Sequence, residues 1–162
     1  MHKVVVEREL QVPVAKAWEI LDDFGGVYRY HPIVEKSPID NGIASGLGAE
    51  RVCHFDNGDQ IKERITGYEA GEEYTVEIID PGNFPLKTAE ARLSLRSVDE
   101  DRSRVRFEMS FQPKYGPLGW IMGATVMQTQ FRKILADVLA GLETHAKTGE
   151  LVDRRQDLAM AA

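Results

Sequence analysis

At 162 residues, with 43% apolar and 28% charged side chains, the chain has the length for one domain with a proper core and is too short for two of ordinary size. Its 26 acidic residues against 20 Lys and Arg give a formal net charge of -6, so attraction to nucleic acid or to an anionic membrane is not expected. The single cysteine, Cys53, excludes an intrachain disulfide and a cysteine-based metal cluster.

Met1-His2-Lys3-Val4 enters a strand pattern without the apolar stretch of a signal peptide, and no run approaches a membrane span; a cytoplasmic protein without stable membrane insertion is expected. Val4 to Val12 alternates β-branched and charged residues as a half-exposed strand does. Pro13 suits the first turn of a helix, and Val14, Ala17, Trp18, Leu21 and Phe24 follow at helical spacing, which predicts a helix over Ala15 to Asp23, stopped by Gly25-Gly26. The aromatic stretch Val27-Tyr28-Arg29-Tyr30-His31-Pro32 reads as a short helix or turn leading into a second strand, Val34 to Ser37.

Glu50 to Asp56 and Asp59 to Tyr68 read as a hairpin around Asn57-Gly58. Glu72 to Ile79 follows as a strand, and Leu86 to Val98 pairs with Ser103 to Gln112 in a second long hairpin. Trp120, Ala124, Met127, Phe131, Ile134, Val138 and Leu142 then recur at steps of three or four, predicting one long helix from about Leu118 to about Leu151. Strands cluster and the major helix comes last, which is an α+β arrangement: residues 1–151 as one domain and 152–162 as a charged, flexible tail.

Period-two alternation sorts the strands by face. On the first hairpin Arg51, Cys53, Phe55, Ile61, Glu63 and Ile65 form the inward set, because the opposite set is nearly all polar. Arg51 and Glu63 therefore point among apolar residues, where an unpaired charge costs several kcal/mol. Two readings stay open: the two pair with each other, or they hold a polar group of a ligand. Tyr74, Val76, Ile78, Leu86, Ala89, Ala91, Leu93, Leu95, Val105, Phe107, Met109 and Phe111 continue the inward set. Small Ala89 and Ala91 opposite Met122, Gly123 and Val126 leave room for a cavity, unless Trp120 and the methionines fill it.

Several short motifs occur in this order of elements: Val12-Pro13 before a helix carrying Trp18-Glu19-Ile20-Leu21-Asp22-Asp23-Phe24, then Tyr30-His31-Pro32, Gly48-Ala49-Glu50-Arg51, the hairpin glycine Gly58, and Glu63-Arg64. Together they resemble the START-like (Bet v 1-like, SRPBCC) superfamily, in particular its bacterial polyketide cyclase/dehydrase-type branch, from about Val4 to about Leu142. The resemblance implies a helix-grip fold, a curved antiparallel sheet of about seven strands around the C-terminal helix, with one or two short helices after the first strand. It further implies a largely apolar cavity for a lipid, an aromatic or a polyketide-like molecule. Carried over by position, Arg51, Cys53, Phe55, Ile61, Glu63, Leu86, Ala89, Ala91, Phe107 and Met109 would line that cavity from the sheet, with Tyr74 and Val76 beside them. Trp120, Met122, Val126 and Gln130 would contribute from the helix, Gln130 with its amide as a polar hook. A tryptophan frequent in the family on the penultimate inward strand is Phe107 in this chain. Superfamily membership does not determine chemistry.

The four histidines are far apart and none forms an i,i+4 pair, so no metal is expected, and Gly46-Leu47-Gly48 is too short for a dinucleotide loop, so no cofactor is expected. Cys53 among Phe55 and Ile61 reads as a small lining residue rather than a nucleophile. Glu63, free of Arg51, would serve as an acid or base, with Tyr30 or His31 as further catalytic candidates. Three functions stand: a binder or carrier of a small hydrophobic or aromatic molecule, a metal-free cyclase/dehydratase-type enzyme using Glu63, and a co-chaperone-like interaction module. The oligomeric state is left open by the sequence.

Overall fold

A computed structural model describes residues 1–114, 116–122 and 126–152, with residues 119, 120 and 122 described by backbone only. Among these, β1 (His2–Leu10), β2 (Val34–Lys36), β3 (Glu50–Phe55), β4 (Gln60–Glu69), β5 (Glu73–Asp80), β6 (Leu86–Ser97) and β7 (Ser103–Pro113) form one antiparallel sheet. Its order is β1-β7-β6-β5-β4-β3-β2, so each neighbour but the β1–β7 pair is consecutive in the chain. The helices are α1 (Val14–Asp22), α2 (Gly116–Met122) and α3 (Gln128–Thr148), with a 3-10 helix over Phe24–Arg29. The sheet curves around α3, which packs on β1, β7 and α1. This is the expected helix-grip arrangement.

The strands follow the alternation read from the sequence. Ala89, Leu93 and Leu95 are buried between exposed Glu90, Arg92 and Arg96, and Val105, Met109 and Phe111 are buried opposite them. The first hairpin ends one residue earlier on β3 than predicted. Asp56 to Asp59 make a four-residue loop, in which the Gly58 N–H donates to the Phe55 carbonyl and the Phe55 N–H to the Asp59 carbonyl. Gly58 sits at φ +90°, a conformation that a side chain would disfavour.

α1 starts at Val14, one residue before the predicted start, with the Pro13 carbonyl accepting from the Lys16 and Ala17 N–H groups. It ends at Asp22, and Gly25-Gly26 lie inside the 3-10 helix instead of merely stopping α1. A Cβ on Gly26 would meet the Asp23 carboxylate and the Arg29 guanidinium, which are ion-paired to each other. The long C-terminal helix is described as α2 and α3 on either side of residues 123–125, and Val126 and Met127 form a wider π turn ahead of α3. α3 closes at Gly149, left-handed at φ +72°, whose N–H reaches the His145 carbonyl, two residues short of the predicted end. Gly123, Ala124 and the tail beyond Val152 lie outside the described residues.

Buried apolar side chains gather in two clusters. The larger joins Leu10, Leu21, Phe24, Tyr30, Tyr74 and Val105 to Val138, Leu139 and Leu142 of α3; each fully buried leucine contributes roughly 1.5–3 kcal/mol. The smaller joins Val4, Leu86, Ala89, Met109 and Phe111 to Met127 and Leu135. Between the two lie Val6, Ile78, Phe84 and Phe107, each touching both clusters and each only partly buried.

Candidate functional site

The polar end of the interior is built on β3 and β4, where Arg51 lies directly across from Glu63. Alternation turns both side chains inward, and Arg51 Nε donates to Glu63 Oε2 at 2.6 Å. Arg51 Nη1 donates to the Phe24 carbonyl at 2.8 Å, and the guanidinium carbon stands 3.9 Å from the centre of the Phe24 ring. Only 6% of Arg51 is exposed. Burial works against the charged guanidinium, but the Glu63 carboxylate together with Cys53, Tyr74 and Tyr30 outweighs it, so Arg51 is held charged well above its usual range.

The two readings of this pair left open by the sequence thus narrow: an ion pair is present. It engages one carboxylate oxygen. Glu63 Oε2 takes Arg51 and, at 3.5 Å, the Cys53 thiol, while Oε1 has no hydrogen-bond partner among the described residues. Burial first, and the Glu63 charge next, push the Cys53 thiol far above its usual range, so it is no nucleophile at neutral pH. Tyr30 and Tyr74 complete the network with their hydroxyls coupled to each other and to Arg51; burial raises both phenols, and both stay neutral. Tyr30 is sealed in the core at 2% exposure, which sets it apart from a residue at a cavity mouth.

His31 follows Tyr30 and is only partly buried. Its Nδ1 accepts the Ile33 N–H at 3.4 Å, which leaves the proton on Nε2. The ring meets Phe55 edge to face at 6.2 Å, and Phe55 meets Phe84 in the same way at 5.3 Å. Burial, and after it the charge of Arg51, lower the His31 pKa to about 3, so the imidazole is neutral at ordinary pH.

Among the remaining predicted lining residues, Ile61, Val76, Leu86, Ala89 and Met109 are buried in the two clusters, while Phe55, Ala91 and Phe107 keep accessible surface on the inward face. Two expectations for the helix change. Val126 is 49% exposed and Gln130 is exposed, so neither faces the interior. Met127, Phe131, Ile134 and Leu135 carry the apolar stripe there, and Val126 and Gln130 lie one position off it. Near its start the helix makes a polar contact through Gln128, whose amide lies 3.2 Å from His2 Nδ1. The side chains of Trp120 and Met122 lie outside the described residues.

Sequence reasoning missed Phe24 as the seat of Arg51 and Phe84 as a wall of the interior. Phe24 carries the helical periodicity of a core residue and nothing that marks its carbonyl as an acceptor. Phe84 lies in the loop between β5 and β6, where no alternation applies. No group of three or more His, Cys, Asp and Glu among the described residues is placed to hold a metal ion. None of the described helices is long and apolar enough to cross a membrane. On the opposite face of the sheet a groove of about 660 Å³ is lined by charged residues, including Arg92 paired with Glu73 and Arg106 paired with Glu108, a surface ill suited to an apolar molecule.

No curated protein matches the chain. Solved structures match its fold: the protein XoxI from Bacillus cereus has 19% identity and a TM-score of 0.75, over 91% of this chain and 97% of that one. The aromatase/cyclase ZhuI from Streptomyces sp. R1128 has 14% identity and a TM-score of 0.68, over 90% and 93%. A truncated norcoclaurine synthase from Thalictrum flavum has 15% identity and a TM-score of 0.67, over 88% and 91%. At such identities the likeness is one of fold. The sequence itself matches a family model, polyketide cyclase / dehydrase and lipid transport, over residues 1–147, and with the sheet gripping α3 this means that the chain belongs to that family of the START-like, Bet v 1-like superfamily.

Proposed function

We propose that the protein binds a small hydrophobic or aromatic molecule between the sheet and α3. The observation that carries this reading is the seam between the two buried clusters, where Val6, Ile78, Phe84 and Phe107 touch both sides and still keep accessible surface. A close-packed core buries such side chains completely, because apolar surface left accessible forgoes about 25 cal/mol per Å². Two of these four are aromatic, and the small Ala91 lies on the same face between Val76 and Met109. Family membership supports the same reading, since its description names lipid transport beside cyclisation.

Titration with the neutral fluorescent probe N-phenyl-1-naphthylamine tests it. Saturable binding is expected in the wild type and its loss in Ala91→Trp, which puts an indole into the seam. Unchanged binding in a folded Ala91→Trp variant would refute a site between the clusters.

A cyclase or dehydratase role is the second reading, favoured by one observation: a neutral His31 imidazole, within reach of the Arg51 charge, at the same end of the interior as the Arg51–Glu63 pair. Glu63 is ion-paired with Arg51, and the neutral His31 offers its Nε2–H as a hydrogen-bond donor to an oxygen that gains charge during reaction. Mass spectrometry of the molecule that co-purifies, followed by its incubation with the protein, separates carriage from turnover.

A further inference from the structure

Resting on the binding reading above, we propose that the polar end of this interior selects neutral, oxygen-substituted aromatic molecules over carboxylates: His31 Nε2–H donates to a carbonyl or phenol oxygen, and Glu63 Oε1 accepts a hydroxyl. The His31 tautomer is set by its own backbone, because Nδ1 accepts the Ile33 N–H. Neither His31 Nε2 nor Glu63 Oε1 has a hydrogen-bond partner among the described residues, and both residues are only partly buried. A donor and an acceptor left unengaged at the edge of an apolar wall cost little only when solvent or a ligand satisfies them. The two are linked along the inner face of β3: His31 meets Phe55 edge to face, two residues from Cys53, whose thiol meets Glu63. Cys53 and Phe55, neighbours on one face of β3, are about 7 Å apart, so the two groups reached through them address separate oxygens of a ligand rather than one oxygen atom.

The discrimination against carboxylates follows from charge. Arg51 is the cation at this end, and its guanidinium is already committed to Glu63, to the Phe24 carbonyl and to the face of the Phe24 ring. Arg51 and Glu63 cancel, and His31 is neutral. The other cations of the hairpin belong to the outer face, where Lys62 pairs with Asp40 and Arg64 with Glu50. A fatty acid carboxylate placed here would face the Glu63 anion with no free cation, and burying an unpaired charge is costly. A ketone or phenol carries no such penalty.

Three bicyclic molecules of similar size test this by displacement of N-phenyl-1-naphthylamine: naphthalene, 6-hydroxy-1-tetralone and 2-naphthoate. The tetralone should bind about tenfold or more tighter than the naphthoate, the size of one well-placed hydrogen bond. His31→Phe, which keeps the ring on Phe55, should weaken the tetralone about tenfold and leave naphthalene unchanged. His31→Gln should restore part of the loss by supplying a donor. Glu63→Gln should raise the affinity for the naphthoate by removing the opposing charge, and it decides the matter if His31→Phe does not fold. Naphthoate binding as tightly as the tetralone, or equal weakening of naphthalene and tetralone by His31→Phe, overturns the proposal. Failure of naphthalene itself to bind would sink the binding reading and this inference with it; naphthalene binding without discrimination would sink the inference alone.

Discussion

The hairpin of β3 and β4 carries the same ion pair twice, one residue apart and inverted. Arg51 opposite Glu63 faces inward, and Glu50 opposite Arg64 faces outward. The two pairs are chemically alike, with Nε donating to a carboxylate at 2.6 Å inside and 2.7 Å outside. Their surroundings differ. The inner guanidinium is 6% exposed and bonded to a main-chain carbonyl, while the outer Arg64 side chain is 46% exposed. Inside, the partner prevents the cost of a bare buried charge and leaves a carboxylate oxygen presented to the interior. Outside, Arg64 only holds the Glu50 carboxyl somewhat below its usual range, through a bond that water would replace.

The largest expected effect comes from breaking the inner pair. Arg51→Ala or Glu63→Ala should lower the unfolding free energy by about 3–5 kcal/mol, read from chemical denaturation, because each leaves its partner charged and buried. Replacing both, as Arg51→Met with Glu63→Leu, should restore most of that stability while abolishing selectivity among oxygenated ligands. A double variant as unstable as the singles would show that the pair itself, and not the bare charge, is what matters.

Acid should act next, through His31. Its pKa is near 6.5 in the unfolded chain and about 3 in the folded one, so between these values only the unfolded chain takes the proton. Stability therefore rises with pH across that window and is lost as pH falls from 6.5 towards 3, at roughly 1.4 kcal/mol per pH unit from this group. Denaturation curves at pH 6.5 and 4.5 should differ less in His31→Gln than in the wild type. Equal differences in the two proteins would remove His31 from the neighbourhood of Arg51.

Gly141 tests the comparison from a distance. A Cβ there would overlap the Tyr30 carbonyl oxygen and press on Val152, whose N–H is bonded to the Arg29 carbonyl. Gly141→Ala should cost about 1–3 kcal/mol by overpacking and should weaken tetralone binding as well, because the segment it displaces carries Phe24, Tyr30 and His31. A stability loss with binding intact would mean that α3 yields rather than that segment. The smallest effect belongs to the outer pair: Arg64→Ala should leave both the unfolding midpoint and ligand selectivity within experimental scatter.

Much of the fold was legible because strand alternation is a short-range property. Ala89, Leu93 and Leu95 against Glu90, Arg92 and Arg96 announce one wet and one dry face whatever the partner strand is. The inward placement of Arg51 and Glu63 was legible for the same reason, and opposite charges on neighbouring strands made their pairing the natural expectation. The helix face was less so. The stripe of Met127, Phe131 and Ile134 kept its predicted face, but Val126 and Gln130, one position off it, turn to solvent, while Gln128 meets His2 from the far end of the chain. His31 was legible only as a candidate, since its neutral state depends first on burial and then on Arg51, twenty positions away, and its seat on Phe55 of another element.

The sequence by itself determined the sheet, its dry face, the terminal helix and the charges that must pair inside, because spacing and polarity along one segment suffice for these. Only the tertiary structure decided that the core divides into two clusters with a partly accessible seam, and that one oxygen of Glu63 and one nitrogen of His31 stay unengaged beside it. Those outcomes depend on how volumes and hydrogen-bond partners from distant segments meet, and no local pattern encodes that sum.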